Sequence, residues 1–162
     1  MELRRTLQSG AGRALARALR HVDSEGRPIQ TAALPWRRGE GGKIELLLVT
    51  GRGGRRWIVP KGWPMRGRSL AEAAAQEAWE EAGVRGRIGR RALGRFRHRK
   101  DHPLLGPIDF TVLLFPLAVE EEAEDWPEGG QRARRWLDAD EAARAVTARG
   151  LAKLLRQFRP EG

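Results

Sequence analysis

The chain has 162 residues, of which 40% are hydrophobic and 32% charged, and its formal net charge is +10. This length suits one domain with a buried core. The absence of cysteine excludes disulfides and thiolate zinc sites, so we expect a cytoplasmic protein. No apolar run approaches the ~20 residues that span a bilayer, and the N-terminal region lacks the apolar stretch of a signal peptide, so we expect no membrane partner.

Helix and strand patterns alternate along the chain. The amphipathic spacing of residues 11–21 predicts a helix, so we expect a helical extension over residues 1–27 and a single domain over residues 28–162. Apolar and β-branched segments bounded by Gly or Pro predict strands at 29–38, 43–52, 55–60, 87–99 (one or two strands), 107–119 and 133–138. One or two closing helices are predicted over residues 138–158, capped by Asp138 or Asp140. This order predicts a mixed α/β fold, with a mixed central sheet between helical layers.

The central helix carries an unusual group of acids. Ser69 and Glu72 form a capping-box pattern, and Gly83 suits the left-handed position after a helix end, so the helix is predicted over residues 70–82. At ~100° per residue, Glu77, Glu80 and Glu81 share one arc of about 100°. The acids follow the apolar stripe of this helix, whereas an ordinary solvated face would oppose it.

These three glutamates repel one another near the negative end of the helix dipole, at a cost of a few tenths of a kcal/mol to about 1 kcal/mol. A hard divalent cation such as Mg²⁺ or Mn²⁺ would offset that cost, because such ions prefer carboxylate oxygens. The alternative is an acidic helix end neutralised by nearby basic side chains such as Arg85 and Arg87.

The flanking residues resemble the signature of the Nudix hydrolases, G-x5-E-x7-R-E-U-x-E-E-x-G-U, in which U is aliphatic. The match retains the two glycines, the three glutamates and both U positions, which are Gly62, Glu77, Ala78, Glu80, Glu81, Gly83 and Val84. The chain departs from the pattern at two positions, where Arg68 replaces Glu and Gln76 replaces Arg.

The resemblance extends over about residues 29–146. The segments "RRWIVPKGW", "FRHRKDHP" and "EDWPEGGQRARRWLDADEAARAV" are similar to the diphosphoinositol polyphosphate phosphohydrolase branch. This resemblance implies a Nudix-type α/β/α sandwich containing the Nudix-box helix, in agreement with the order of the predicted elements.

The resemblance also implies a chemistry, in which water attacks phosphorus and cleaves a phosphoanhydride bond. By resemblance, Glu77, Glu80 and Glu81 are catalytic and hold Mg²⁺ (or Mn²⁺), assisted by the backbone carbonyl of Gly62. Glu77 is the first candidate for the general base. The acidic run 120–122 is the second candidate, because some family members recruit a base from outside the motif.

Two runs without any acid flank the motif helix, over residues 51–68 and 85–100. Such a field attracts phosphates, and arginine pairs bidentately with their oxygens. The residues predicted to bind substrate phosphates are Arg52, Arg55, Arg56, Lys61, Arg66, Arg97, Arg99 and Lys100. His98 is interpreted as part of the same cationic strip.

The leading hypothesis is a metal-dependent pyrophosphohydrolase that acts on a highly phosphorylated small molecule, either a dinucleoside polyphosphate or a diphosphoinositol polyphosphate. One alternative is removal of pyrophosphate from RNA 5′ ends, which the net charge also favours. The other is a degenerate Nudix domain that binds polyanions without cleaving them, motivated by Arg68 and Gln76.

Overall fold

The computed structural model describes residues 20–102 and 106–161, together with Arg13 and Ala16. Most of the helix predicted over residues 11–21 lies outside the described residues, although Arg13 and Ala16 are helical and Arg20 lies in a turn. Among the described residues, none of the helices is both long and apolar enough to cross a bilayer.

A mixed sheet of eight strands forms the centre of the fold. The strands are β1 (Ile29–Arg38), β2 (Ile44–Thr50), β3 (Trp57–Ile58), β4 (Lys61–Gly62), β5 (Val84–Ile88), β6 (Gly94–His102), β7 (Gly106–Glu122) and β8 (Arg134–Leu137). The main path runs β3-β2-β1-β7-β5, while β4 pairs with β1, β6 with β7 and β8 with β2. Only the β1–β7 pair is parallel among the described strands.

Helices cover both faces of this sheet, because successive residues of its central strands point to opposite sides. Helix α1 (Leu70–Glu77) continues into a π-helical turn (Ala78–Ala82) and covers one face; α2 (Ala139–Ala145) and α3 (Arg149–Gln157) cover the other. In β1, Leu34 faces α2 and α3, while Ala33 faces α1. The predicted α/β/α sandwich is therefore confirmed.

The predicted elements differ from the structure mainly at their ends. The segment 87–99 contains the end of β5 and most of β6, and β7 is longer than the predicted strand 107–119. The two-residue strand β4 was not predicted separately, because its pairing with Thr31 and Ala32 is a tertiary contact. Asp138 caps α2, since its side chain accepts a hydrogen bond from the Glu141 N–H at 2.8 Å.

Candidate active site

Helix α1 is positioned by local sequence signals at its start and by small residues along one face. The predicted capping box is present: Ser69 Oγ accepts from the Glu72 N–H at 3.1 Å, and the Ser69 N–H donates to Glu72 Oε2 at 2.9 Å. The buried apolar residues of the helix and its π-helical turn are all alanines, at Ala71, Ala73, Ala74, Ala78 and Ala82. Because alanine is small, the helix lies close to the sheet, and Thr31 Oγ1 donates to the Leu70 carbonyl at 2.6 Å.

The end of this helix differs from the uniform α-helix that we predict over residues 70–82. Ala78–Ala82 forms a π-helical turn that contains Glu80 and Glu81, followed by Gly83 at φ 67° and ψ 30°, as predicted. π-Helical turns occur frequently at functional sites. A side chain at Gly83 would also collide with Trp126, since its Cβ would lie 2.7 Å from the indole ring.

A distant segment satisfies the carbonyls at this helix end. The Glu128 N–H donates to the Glu80 carbonyl at 2.9 Å, Trp126 Nε1 to the Glu81 carbonyl at 3.0 Å, and Arg134 Nη1 to the Ala82 carbonyl at 2.9 Å. The Arg134 guanidinium also lies 4.0 Å from the centre of the Trp126 ring. These contacts fix the helix end, and they bring Glu128 to the glutamates.

The glutamates border a cleft of about 1620 Å³. Glu77, Glu80 and Glu81 all line it, together with Asp101 and Glu128. The described basic residues that line the cleft are Arg20, Arg52, Arg56, Lys61, Arg66, Arg68, Arg97, Arg99, Lys100 and Arg132. The cleft therefore combines a small carboxylate cluster with a much larger cationic lining.

Glu77 lies directly against the backbone of Gly62. A Cβ at position 62 would lie 2.0 Å from Glu77 Oε1, so only glycine leaves room for this carboxylate. Burial and then the neighbouring Glu81, Glu80 and Glu128 raise the pKa of Glu77 to about 8. Lys61 opposes this shift only in part, so the neutral form of Glu77 is favoured in the absence of a cation.

Glu81 and Glu128 share one buried arginine. Arg132 Nη2 lies 3.4 Å from Glu81 Oε1, its Nε lies 3.2 Å from Glu128 Oε1, and its Nη1 donates to the Thr50 carbonyl at 3.0 Å. The Lys61 N–H also donates to Glu81 Oε2 at 3.3 Å. Burial raises the pKa of Glu81, while Arg132 and Lys61 oppose that shift.

Glu80 is held from its own helix. Gln76 Nε2 donates to Glu80 Oε1 at 2.9 Å, and Arg68 Nη1 donates to Gln76 Oε1 at 3.1 Å. The two residues that depart from the Nudix pattern therefore contact each other.

The lysine and histidine of the cleft do not titrate at their usual values. Burial lowers the pKa of Lys61 to about 8, although Glu81 partly counteracts this shift. Burial, followed by the charges of Lys61, Lys100 and Arg56, lowers the pKa of His98 to about 4. His98 lines the cleft beside its basic neighbours, and this pKa makes its imidazole neutral near pH 7, so the positive charge of the strip comes from those neighbours.

The donor set of this site suits a hard divalent cation. Glu77, Glu80, Glu81 and Glu128 offer carboxylate oxygens to the cleft, and Gly62 leaves space for Glu77 beside the β4 backbone. Within the part of the chain that the structure describes, no three acidic or histidine side chains converge into a preassembled metal site. Glu80 and Glu81 instead contact Gln76 and Arg132.

Seven of the eight residues predicted to bind phosphates line the cleft, and Arg55 does not. Arg55 is exposed in the loop between β2 and β3. It directly precedes Arg56 and Trp57, which both line the cleft. Arg99 Nε lies 3.0 Å from Asp109 Oδ1, and Arg52 Nη2 lies 3.3 Å from Glu128 Oε1. Both arginines are therefore paired with carboxylates in the structure.

Sequence reasoning missed Glu128 and Arg132, which line the cleft, and named residues 120–122 as the second candidate for a base. Residues 120–122 are absent from the cleft lining. Glu120 instead pairs with Arg87 at 3.3 Å, and Glu122 accepts from Trp136 Nε1 at 3.1 Å. The acidic run ends at Glu128. Both Glu128 and Arg132 lie in the segment "EDWPEGGQRARRW", and the resemblance of that segment to the family was the available signal for them.

The sequence matches the NUDIX domain over residues 27–158, which is most of the chain. The chain belongs to the Nudix family. It is 32% identical over 129 residues to diphosphoinositol polyphosphate phosphohydrolase 3-beta of Bos taurus, covering 78% of this chain and 74% of that protein.

Nudix hydrolase 4 of Arabidopsis thaliana is 38% identical over 100 residues, covering 61% of this chain and 46% of that relative, so the chain spans about half of its length. The Ap4A hydrolase of C. elegans has a similar fold, with a TM-score of 0.57 and 21% identity over 80% of this chain and 94% of that one.

Proposed function

We propose that this Nudix chain is a divalent-metal-dependent pyrophosphohydrolase that cleaves a phosphoanhydride bond in a highly phosphorylated small molecule. The observation that carries the proposal is one cleft that joins the motif glutamates to ten basic side chains. A cluster of carboxylates alone would repel such a substrate, whereas the surrounding Arg and Lys residues attract its phosphates.

Glu77, Glu80 and Glu81 are the residues that would hold the cation, assisted by the carbonyl of Gly62, a residue that lies against Glu77. Mg²⁺ or Mn²⁺ in this position supplies positive charge that offsets the charge of adjoining phosphates. Glu77 is the proposed general base, because it lies in the cluster against the Gly62 backbone and lines the cleft. Its pKa is raised to about 8 without a cation, and a bound cation would lower that pKa and favour the ionised form that accepts a proton. Glu128, which replaces residues 120–122 as the second candidate, reaches the same cleft.

The chain's cations are proposed to orient the substrate. Seven of the predicted phosphate-binding residues line the cleft. Four precede the motif helix in the sequence, Arg52, Arg56, Lys61 and Arg66, and three lie on β6, Arg97, Arg99 and Lys100. Arginine binds phosphate oxygens bidentately and Lys61 as a point charge. Arg55 stays a prediction as a phosphate ligand, because it could act only on a substrate that extends beyond the cleft.

The names of the relatives suggest two substrate classes, diphosphoinositol polyphosphates and dinucleoside polyphosphates such as Ap4A. Both carry several adjoining phosphates, which the cationic lining suits equally. The cytoplasmic location stays a prediction that rests on the absence of cysteine.

The proposal is tested by measuring hydrolysis of a substrate panel with Mg²⁺ or Mn²⁺ at two salt concentrations. The panel contains Ap4A, a diphosphoinositol polyphosphate, inorganic polyphosphate and 5′-triphosphate RNA. The matched variants are Glu80→Gln, in the cluster, and Glu72→Gln, which keeps the capping box because glutamine also serves at that position.

We expect turnover of one of the first two substrates, lost in Glu80→Gln and retained in Glu72→Gln. Turnover of the RNA alone, with steep salt dependence, would instead support the RNA 5′-pyrophosphohydrolase. Binding without turnover, unaffected by Glu80→Gln, would support the polyanion-binding alternative.

A further inference from the structure

Both departures from the Nudix pattern belong to one hydrogen-bonded chain of side chains. Arg68 Nη1 donates to Gln76 Oε1 at 3.1 Å, and Gln76 Nε2 donates to Glu80 Oε1 at 2.9 Å. Arg68 precedes the capping box, Gln76 lies in the last turn of α1, and Glu80 lies in the π-helical turn. The connection therefore joins the loop before the helix to the glutamate at its end.

The direction of these hydrogen bonds follows from the chemistry of the three groups. A guanidinium can only donate and an ionised carboxylate can only accept, so the amide must present its oxygen to Arg68 and its nitrogen to Glu80. An arginine in place of Gln76 would bring two guanidinium groups against each other, and a leucine there would leave both neighbours without this partner. Glutamine at position 76 provides both the acceptor for Arg68 and the donor for Glu80.

We propose that Arg68 and Gln76 form one positioning unit for Glu80. The unit engages Oε1 of Glu80, and no other hydrogen bond from a described residue reaches that carboxylate, so Oε2 is left for a divalent cation. In the family pattern the same two positions carry Glu and Arg; this chain has Arg and Gln there, and the amide of Gln76 donates to Glu80. The inference rests on the proposed function, in which Glu80 is a metal ligand.

The expected effect is on metal binding. Hydrogen-bond partners of metal-binding side chains typically change metal affinity by about 10–100-fold when removed. Gln76 lies at the half-buried edge of the cluster, and Arg68 is exposed, so we expect the lower end, about tenfold, for loss of either residue. Because Arg68 acts through Gln76, loss of both should be no worse than loss of Gln76 alone.

The test is a Mn²⁺ titration of the full chain without substrate, in which electron paramagnetic resonance measures free Mn²⁺. The variants are Arg68→Met, Gln76→Leu and the double variant. The controls are Arg91→Met, an exposed arginine, and Gln157→Leu, an exposed glutamine in a helix. We expect about tenfold weaker binding in each single variant, the same in the double variant, and no change in the controls.

A charge exchange gives a rescue that a merely structural role would not. Gln76→Arg alone brings two guanidinium groups together and should weaken Mn²⁺ binding. Adding Arg68→Glu supplies an acceptor for the introduced arginine, which can still donate to Glu80. The charge-exchanged double variant should therefore recover wild-type affinity within about threefold.

Three results would overturn the inference: multiplicative losses in Arg68→Met and Gln76→Leu, losses no larger than in the controls, or a charge-exchanged protein no better than Gln76→Arg. Failure of the proposed function has a different signature. In that case the wild-type chain would bind no Mn²⁺, or Glu80→Gln would bind it as tightly as wild type. Binding lost in Glu80→Gln but unchanged in both single variants would refute the positioning unit alone.

Discussion

Replacing Gly62 with alanine perturbs the proposed metal cluster at one side chain, that of Glu77. The new Cβ would lie 2.0 Å from Glu77 Oε1 and 2.3 Å from its carboxyl carbon, and Cβ atoms essentially never approach heavy atoms within 3.0 Å. The carboxylate must therefore move by about 1 Å or more. A misplacement of about 1 Å costs on the order of 10²-fold in rate.

The fold should tolerate this change far better than the reaction does. Overpacking costs about 1–3 kcal/mol, while alanine regains about 0.5–1 kcal/mol relative to glycine in a strand. The net loss of unfolding free energy should be about 2 kcal/mol or less, which lowers the Tm by at most about 8 °C. The colliding group is the end of a flexible side chain, which limits the strain.

The assay measures kcat/KM for the best substrate of the panel and the Tm of the same preparations. Gly130→Ala is the matched control, because a Cβ at this exposed turn meets no atom within 4 Å. We expect about a 100-fold loss in Gly62→Ala and less than a twofold change in Gly130→Ala. Activity of Gly62→Ala within twofold of wild type would refute the assignment of Glu77 to the reaction.

Three further predictions concern the helix cap and two titrating groups. Ser69→Ala removes the capping box and should lower the unfolding free energy by about 1 kcal/mol and the Tm by about 2–4 °C, measured by calorimetry, with the rate per folded molecule unchanged. Hydrogen bonds from Thr111 and the Arg27 backbone lower the pKa of Asp23 in the folded protein. The ionised Asp23 should therefore stabilise the fold above its unfolded-state pKa of about 3.9, and this stabilisation should be lost as the pH falls below that value. Denaturant titrations should show a smaller loss of unfolding free energy at low pH in Asp23→Asn than in wild type. The pKa of His98 is lowered to about 4, so the unfolding free energy should decrease as the pH falls from about 6.5 toward 4, where only the unfolded chain takes up this proton. Pyrophosphate in the cleft should raise the pKa of His98, measured by NMR, because it neutralises the surrounding cations. An NMR pKa of His98 near 6.5 without ligand would contradict the burial of the imidazole and the effect of the cations around it.

Local signals made the motif helix predictable. The Ser69 and Glu72 capping box and the left-handed Gly83 depend on neighbouring residues alone, and the structure contains both. The π-helical turn was not predictable from this pattern, because the hydrogen bonds that hold its carbonyls come from residues about 45–52 positions later in the chain.

The same distinction applies to the candidate site. The motif spacing predicted that Glu77, Glu80 and Glu81 share one arc of the helix, and in the structure all three line one cleft. Glu128 and Arg132 reach this cleft only through the packing of their segment on the helix end. Charge alone also could not separate cleft-lining cations from solvated ones. Arg55 and Arg56 are adjacent in sequence, but only Arg56 lines the cleft.

The central claim is that the glutamate cluster and the cationic cleft act together in one metal-dependent hydrolysis. The most direct measurement is the rate of phosphate release from the best substrate as a function of Mg²⁺ concentration, for wild type, Glu80→Gln and Glu72→Gln. We predict that wild type and Glu72→Gln show saturable Mg²⁺ activation that EDTA abolishes, and that Glu80→Gln loses it. Equal Mg²⁺-dependent rates in wild type and Glu80→Gln, or a rate insensitive to EDTA, would contradict the claim.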